Sequence, residues 1–324
     1  MSARYMQPLR ILIQCAFLGF MVWLGIRFFQ FVQVVGSGTR GAVIVRPDGI
    51  EGFLPISGLL GAASWIKGGE INSIHPAAAV IFVTVILVSL LLRRSFCSWI
   101  CPVAVISECA WKGGFRLMRH SPRLPAWLDG GLRSLKYLLM ALFIYFIAIA
   151  MSSDALTKFI QSDYHMIADV RLMNFFLHMS PLAISIMVTL VALSVVLRNP
   201  FCRYLCPYGA LLGLVATLSP LRVSRNLERC VSCGVCSQVC PTYIDVMHKK
   251  SVASPECIAC WRCISHCRFN EALSMRAVRR YAVPGVVFAT LVLLLFWGGT
   301  MIGKLNGHWH SSISLEEYVR LLGK

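Results

Sequence analysis

Five long apolar runs constrain this 324-residue chain more than any other feature: 11–35, 76–92, 135–151, 181–197 and 282–302. About 20 apolar residues cross a bilayer core. Within lipid the backbone must satisfy its own hydrogen bonds, so such runs are read as helices. The second to fourth runs hold 17 residues each and need flanking residues or a thin, protein-lined site. Only 14% of the chain is charged and 57% is hydrophobic, with a mean hydropathy of +0.69, whereas soluble domains carry about a quarter charged residues. The sequence therefore predicts an integral membrane protein, mainly α, with about five transmembrane helices. Arg4 and Arg10 precede the first run, which is longer than a signal-peptide core and lacks an A-x-A site after it, so an uncleaved anchor is expected.

Thirty-one Lys and Arg against fourteen Asp and Glu give a net charge of +17. With the N-terminus inside, 22 of the 31 fall on the cytoplasmic side, eight on the other, and Arg27 within the first run. The positive-inside rule then places the N-terminus and the segment before the last helix in the cytoplasm. The C-terminus is periplasmic, in a bacterial inner membrane. The basic residues are scattered through short loops beside apolar runs, and no phosphate-binding or dinucleotide fingerprint is visible, so nucleic acid is disfavoured.

Fourteen cysteines fall into groups. Cys230-x2-Cys233-x2-Cys236-x3-Cys240-Pro241 is followed by Cys257-x2-Cys260-x2-Cys263-x3-Cys267. This is the run of bacterial ferredoxins that carry two [4Fe-4S] clusters, in which the fourth Cys of each run ligates the other cluster. Cluster one then takes Cys230, Cys233, Cys236 and Cys267; cluster two takes Cys257, Cys260, Cys263 and Cys240. Arg268 replaces the proline expected after the second run. A zinc site or a disulfide set is the competing reading, and a cytoplasmic placement speaks against disulfides. Two such clusters mean one-electron transfer. The expected domains are a four-helix membrane part (1–219), a cytoplasmic two-[4Fe-4S] ferredoxin domain (220–280) inserted before the last helix, and a fifth helix with an outer tail (281–324).

A second group is an internal repeat. Cys97-x3-Cys101-Pro102 matches Cys202-x3-Cys206-Pro207, each at the cytoplasmic end of an apolar run. In a continuous helix, i and i+4 thiols share a face, and the following proline suits the start of a new helix. The four thiols read as a third metal centre, as reversible dithiols, as a transient copper or iron site, or as reduced cysteines packed at helix ends. Cys15, facing lipid or a neighbouring helix in the first run, and Cys109 read as small core residues.

These motifs together resemble the membrane polyferredoxins of the NapH, NosR and CcoG type, over nearly the whole chain. The resemblance implies electron transfer between the quinone pool and a redox partner protein, as a quinol dehydrogenase component of an anaerobic respiratory chain. CcoG-type proteins imply the alternative, copper handling during oxidase assembly through the Cys-x3-Cys-Pro thiols. A third reading is an anchor that only docks a soluble reductase.

A quinol site needs a proton acceptor and a hydrogen-bond donor. The outer segments offer Glu51, His75 and His178, and Arg27 lies at membrane depth. His75 and His178 precede Cys97 and Cys202 by 22 and 24 residues, so the repeat extends to the outer ends. Helix caps, interfacial anchors and haem ligation compete for the same histidines. The apolar stretch 53–66 reads as interfacial or re-entrant. His308-x-His310 and the amphipathic 315–322 segment with Glu316 and Glu317 read as surface decoration.

Overall fold

A computed structural model describes residues 5–36, 45–69, 71–119, 121–269, 271–278 and 280–322; Arg4, counted in the charge bias, lies outside them. Among the described residues, three helices are long and apolar enough to cross a membrane: Met6–Gly36, Ala126–Ala150 and Gly285–Leu305. The 181–197 run forms helix Pro181–Val196, which joins Ala168–Leu177 through an 80° bend and counts as a span only with it. The 76–92 run forms a 17-residue helix, Pro76–Leu92. The five expected spans thus become three full-length helices, a bent pair and a short helix. A proline opens each of the two shorter runs, and left-handed residues, Arg93 (φ 58°) and Asn199 (φ 51°), follow their ends.

The chain forms two compact units. The first, Met1–Leu18, Val85–Met140 and Ile186–Phe296, contains every cysteine. Its sheet has β1 (Leu221–Arg225), β2 (Ser251–Val252), β3 (Leu273–Ala277) and β4 (Tyr281–Ala282), antiparallel in the order β2-β1-β3-β4. Register pairs Val223 with both Val252 and Met275. These three side chains are 2–3% exposed or less and form the sheet's buried face. Helices in this unit approach closely where glycine permits: a Cβ on Gly114 would collide with the Val195 carbonyl.

The second unit is Gly19–Thr84, Ala141–Ser185 and Trp297–Lys324. Here one expectation is corrected. The 53–66 stretch, expected to be interfacial or re-entrant, forms helix Pro55–Gly68, whose Leu60 and Ala63 pack with Ile74, Leu156 and Ile160. Gly58 and Gly61 let it lie against Phe82 and Ala79 of helix Pro76–Leu92, where a Cβ would come within 2.8 Å. The terminal helix Leu315–Leu322 is the one corrected: it is not surface decoration. It buries Tyr318 and Leu321 among Phe31, Ile50 and Val170, because its apolar residues fall on one face.

Candidate functional site

The two ferredoxin-type runs curl in the same way. Left-handed residues flank the middle cysteine of each: Ser232 (φ 54°) and Gly234 (φ 76°) around Cys233, Ala259 (φ 47°) and Trp261 (φ 63°) around Cys260. That conformation costs a non-glycine residue about 1–2 kcal/mol, so the curl is imposed by what the loop must wrap. Trp261 is fixed by packing against Phe288, ring centroids 5.6 Å apart.

Cys257, Cys260 and Cys263 line one cavity together with Cys240 of the other run, and Val223 and Val252 supply an apolar wall. These are the four ligands that the spacing assigns to cluster two. Burial pushes the Cys263 thiol well above its usual value, and the neighbouring Cys260, Cys240 and Cys257 add to the shift. Cys260 is pushed up to about 11, mainly by burial. Crowded soft donors that resist ionisation in isolation need a cationic centre to draw off their protons, so this donor set fits an iron–sulfur cluster. Among the described residues, no three His, Cys, Asp or Glu close on a single ion; a cube is wider than an ion. For cluster one, burial and then Cys230 and Cys233 raise the Cys236 thiol, which puts those three together. No described contact joins Cys267 to them; its thiol faces the Phe269 carbonyl at 3.4 Å.

The Cys-x3-Cys segments are not continuous α-helix, which corrects the shared-face argument. Cys97 lies in the short helix Ser95–Trp99 and Cys202 in the wide π-type turn Phe201–Leu205. Cys101 and Cys206 are extended N-caps of helices Pro102–Met118 and Pro207–Thr217. Both repeats close the same way: the Cys101 amide donates to the Phe96 carbonyl and the Cys206 amide to the Phe201 carbonyl, each at 3.0 Å. The four thiols nevertheless converge. Burial raises Cys202 well above its usual value, with Cys101, Cys206 and Cys97 adding to it. Cys101 is pushed up to about 12 by burial and Cys97. A cavity reaches Cys97 and Cys202, and Pro241, Thr242 and Ile258 line both it and the cluster-two cavity. Cys109 is exposed rather than a core residue, and Cys15 is exposed on the membrane-length helix Met6–Gly36.

Arginines bind this unit together, which sequence reasoning missed. Arg93, fully buried, donates to the carbonyls of Leu221 (3.3 Å) and Ser254 (2.6 Å). Arg94 donates to Pro255 at 3.1 Å. Ser98 and Trp99 donate to the carbonyls of Ile258 and Ala259. Arg198 donates to Gln238 and Cys240, and Arg203 to Thr242. The Cys-x3-Cys segments thus hold the backbone that carries Cys240 and Cys257. Burial works against ionised Glu256, but Arg94 and then Lys136, bonded at 2.6 Å, keep its carboxyl below its ordinary value.

In the other unit, two of the four residues suggested for quinol chemistry meet. His75 Nδ1 lies 3.3 Å from Glu51 Oε1, and both residues are buried. His75 Nε2 faces the His165 carbonyl at 2.9 Å and must donate to it. The Glu51–Nδ1 contact therefore shares one proton. Glu51 also accepts from the Ala78 amide (3.0 Å) and Arg46 (3.0 Å), and Arg46 spans to Asp169, which accepts from Tyr318 at 3.1 Å. Burial lowers His165 to about 4, and His75 adds to the effect. Arg27 and His178 have exposed side chains, and the described contacts do not bring them to this group. Nothing in the local sequence pairs Glu51 with His165, Asp169 or Tyr318; the signal lies in the fold. His310, read as decoration, contacts Asp48 at 2.7 Å.

A 4Fe-4S binding domain family matches residues 74–125 and 179–226, one Cys-x3-Cys-Pro repeat in each, and a 4Fe-4S dicluster domain family matches 222–268. The chain is 36% identical over 315 residues to protein YccM of Escherichia coli (strain K12), which is named for electron transport; the match covers 95% of this chain and 88% of that one. It belongs to the NapH-type membrane polyferredoxins. The ferredoxin-type protein NapH of E. coli is 24% identical over 225 residues, 66% of this chain and 72% of its own. The methylamine utilization ferredoxin-type protein MauN of Paracoccus denitrificans is 32% identical over 192 residues, 56% of this chain and 61% of its own. No solved structure matches. As a member of this family, the polyferredoxin described here is a membrane protein with an iron–sulfur electron-transfer role.

Proposed function

We propose that this polyferredoxin relays electrons between the quinone pool and a redox partner protein, as a quinol dehydrogenase component in the inner membrane of an anaerobic respiratory chain. Iron–sulfur clusters supply one-electron transfer when bound. Cys230, Cys233, Cys236 and Cys267 hold one, and Cys257, Cys260, Cys263 and Cys240 the other. Cys97, Cys101, Cys202 and Cys206 hold a third centre next to the second. The observation that carries this reading is the shared wall: Pro241, Thr242 and Ile258 line both the cavity at Cys240 and Cys257 and the one at Cys97 and Cys202. On the other unit, Glu51 and His75, 3.3 Å apart, take one of the two protons that hydroquinone releases, and the other leaves to water.

The test is iron and acid-labile sulfide analysis with EPR of the reduced full chain, then reduction by hydroquinone in lipid vesicles. More iron than two cubes require, and quinol-dependent reduction, are expected. No reduction by any of several hydroquinones would sink the quinol reading. Four convergent thiols also suit Cu(I), so copper handling is the second reading. Copper held by the purified chain and lost on Cys97→Ser would favour it.

A further inference from the structure

We propose that Arg94 sets the reduction potential of the four-thiol centre, holding a fixed positive charge against Cys97 and Cys206. This rests on the reading that Cys97, Cys101, Cys202 and Cys206 hold one redox centre. The Arg94 side chain is 2% exposed. Its charge is felt at Cys97 and Cys206 and also at Cys202. The opposite helix is bare where it passes. A Cβ on Gly209 would stand 2.9 Å from Arg94 Nη2 and 3.4 Å from Cys206 Sγ, and one on Gly213 would meet its Cδ and Nη1 at 3.5 Å. Pro207–Thr217 thus carries glycine at both positions that face this side chain. The Gly209 amide, freed of a side chain, also donates to Cys206 Sγ at 3.2 Å.

The other cations nearby are committed elsewhere. Lys136 closes on Glu256 at 2.6 Å, and Arg203 grips both oxygens of Asp129 at 2.8 Å. Arg198 is bonded to two carbonyls of the ferredoxin run. Arg94 makes the loosest of these ion pairs, 3.5 Å to Glu256, and its buried Nε has no hydrogen-bond partner among the described residues. Its charge is shared between Glu256 and the thiols, acts more strongly on Cys97 than on Glu256, and outweighs that of Lys136 at Cys206. Reduction adds one negative charge to a thiolate-ligated centre, so a fixed cation in contact stabilises the reduced state more than the oxidised one. Through its bond to the Pro255 carbonyl, two residues before Cys257, the same guanidinium also keeps the two cysteine groups together.

The test is an EPR-monitored redox titration of the full chain in detergent or nanodiscs, with iron and sulfide content measured alongside. Arg94→Gln should lower the reduction equilibrium constant of one centre at least about tenfold, about 59 mV for a one-electron couple. The other midpoints should stay in place, and Arg94→Lys should restore most of the shift. A role confined to packing would cost iron without moving a midpoint. If Arg94→Gln loses iron, Gly209→Ala replaces it, since the added Cβ displaces the guanidinium while keeping its charge in the chain. A smaller shift in the same direction is then expected. Unchanged midpoints at full iron content, or Arg94→Lys moving as far as Arg94→Gln, overturn the proposal. Wild-type iron that accounts for only two cubes overturns the four-thiol reading beneath it instead.

Discussion

Glu108 ties helix Met6–Gly36 to the cluster-two run through Arg10 and Arg262, and Glu108→Gln tests what that contributes. Arg10, 1% exposed, grips both of its oxygens at 2.9 and 2.7 Å; Arg262 reaches it at 3.1 Å and Lys112 at 2.9 Å. Arg10 also bonds the Ser98 carbonyl, and Arg262 lies in the cluster-two run. Burial alone would raise the Glu108 carboxyl, but Arg10, Arg262 and Lys112 outweigh it and hold it at about 2 against an ordinary 4.5. A folded value below the unfolded one stabilises fully above the unfolded value and is lost as pH falls toward the folded one. At 1.36 kcal/mol per pH unit, that contribution is about 3 kcal/mol. Removing the charge strands Arg10 in the interior, and breaking a buried pair costs about 3–5 kcal/mol. Denaturant unfolding in mild detergent, followed by tryptophan fluorescence, should show Glu108→Gln about 3 kcal/mol less stable at pH 7, as expected from that range. The gap to wild type should narrow between pH 4.5 and 2.5. Arg10→Met with Glu108→Leu should recover more than half of the loss, because no charge is then left unpaired. A loss under about 1 kcal/mol at pH 7, the scale of an exposed pair, or a gap that ignores pH, refutes the reasoning.

Cys263→Ser should remove one cube's worth of iron and sulfide and leave the other cube's signal, as metal analysis with EPR would read; unchanged iron refutes the cavity assignment. Burial keeps His165 depressed to about 4 from an ordinary 6.5, so its neutral form stabilises the fold above pH 6.5 and that stability drains as pH falls through the folded value, about 3 kcal/mol in all. His165→Gln should flatten acid unfolding in that window, and a wild-type-like profile contradicts it. Gly303→Leu should destabilise, since a Cβ there would already stand 2.5 Å from Val80, and overpacking costs about 1–3 kcal/mol; Gly298→Leu, open within 4 Å, is the tolerated control in the same melting assay. A fragment of residues 220–280 should hold less iron than the full chain after reconstitution; equal iron and sulfide per cysteine run would show that the loops stand alone.

What the sequence made legible is local. Cysteine spacing grouped four cysteines that line one cavity, and prolines 102 and 207 marked two helix starts, because a proline at the first helical position acts through its own ring. The apolar runs announced helices but not their ends: Arg93 and Asn199 terminate two of them through left-handed backbone that no hydropathy average contains. The long-range partners stayed hidden. Arg93 meets Ser254 and Arg94 meets Pro255, each 161 residues away, and the acceptors are carbonyls that every residue carries. The group around Glu51 and His75 stayed hidden for the same reason. Asp169 and Tyr318 are 149 residues apart, and only Glu51 and His75 had been singled out. Arg27, singled out as a charge at membrane depth, has an exposed side chain on helix Met6–Gly36.

The basic excess has a second reading that composition cannot separate from orientation. The positive-inside rule asks only for Lys or Arg beside the spans, and either residue serves. The contacts need more. A loop that wraps a cluster has few backbone bonds of its own, so its carbonyls must find donors elsewhere or be left buried and unpaired. Arginine offers five donors in a rigid fork, charged at every relevant pH, so one side chain can bind two carbonyls, as Arg93 and Arg198 do. Bonds from charged donors contribute about 1.5–3 kcal/mol each. Lysine occurs once among these buried contacts, at Lys136, where a single carboxylate suffices. The ferredoxin segment is consequently braced by the helix ends that carry Cys97 and Cys202. Its loops and the Cys-x3-Cys segments form one compact unit because the same arginines serve both.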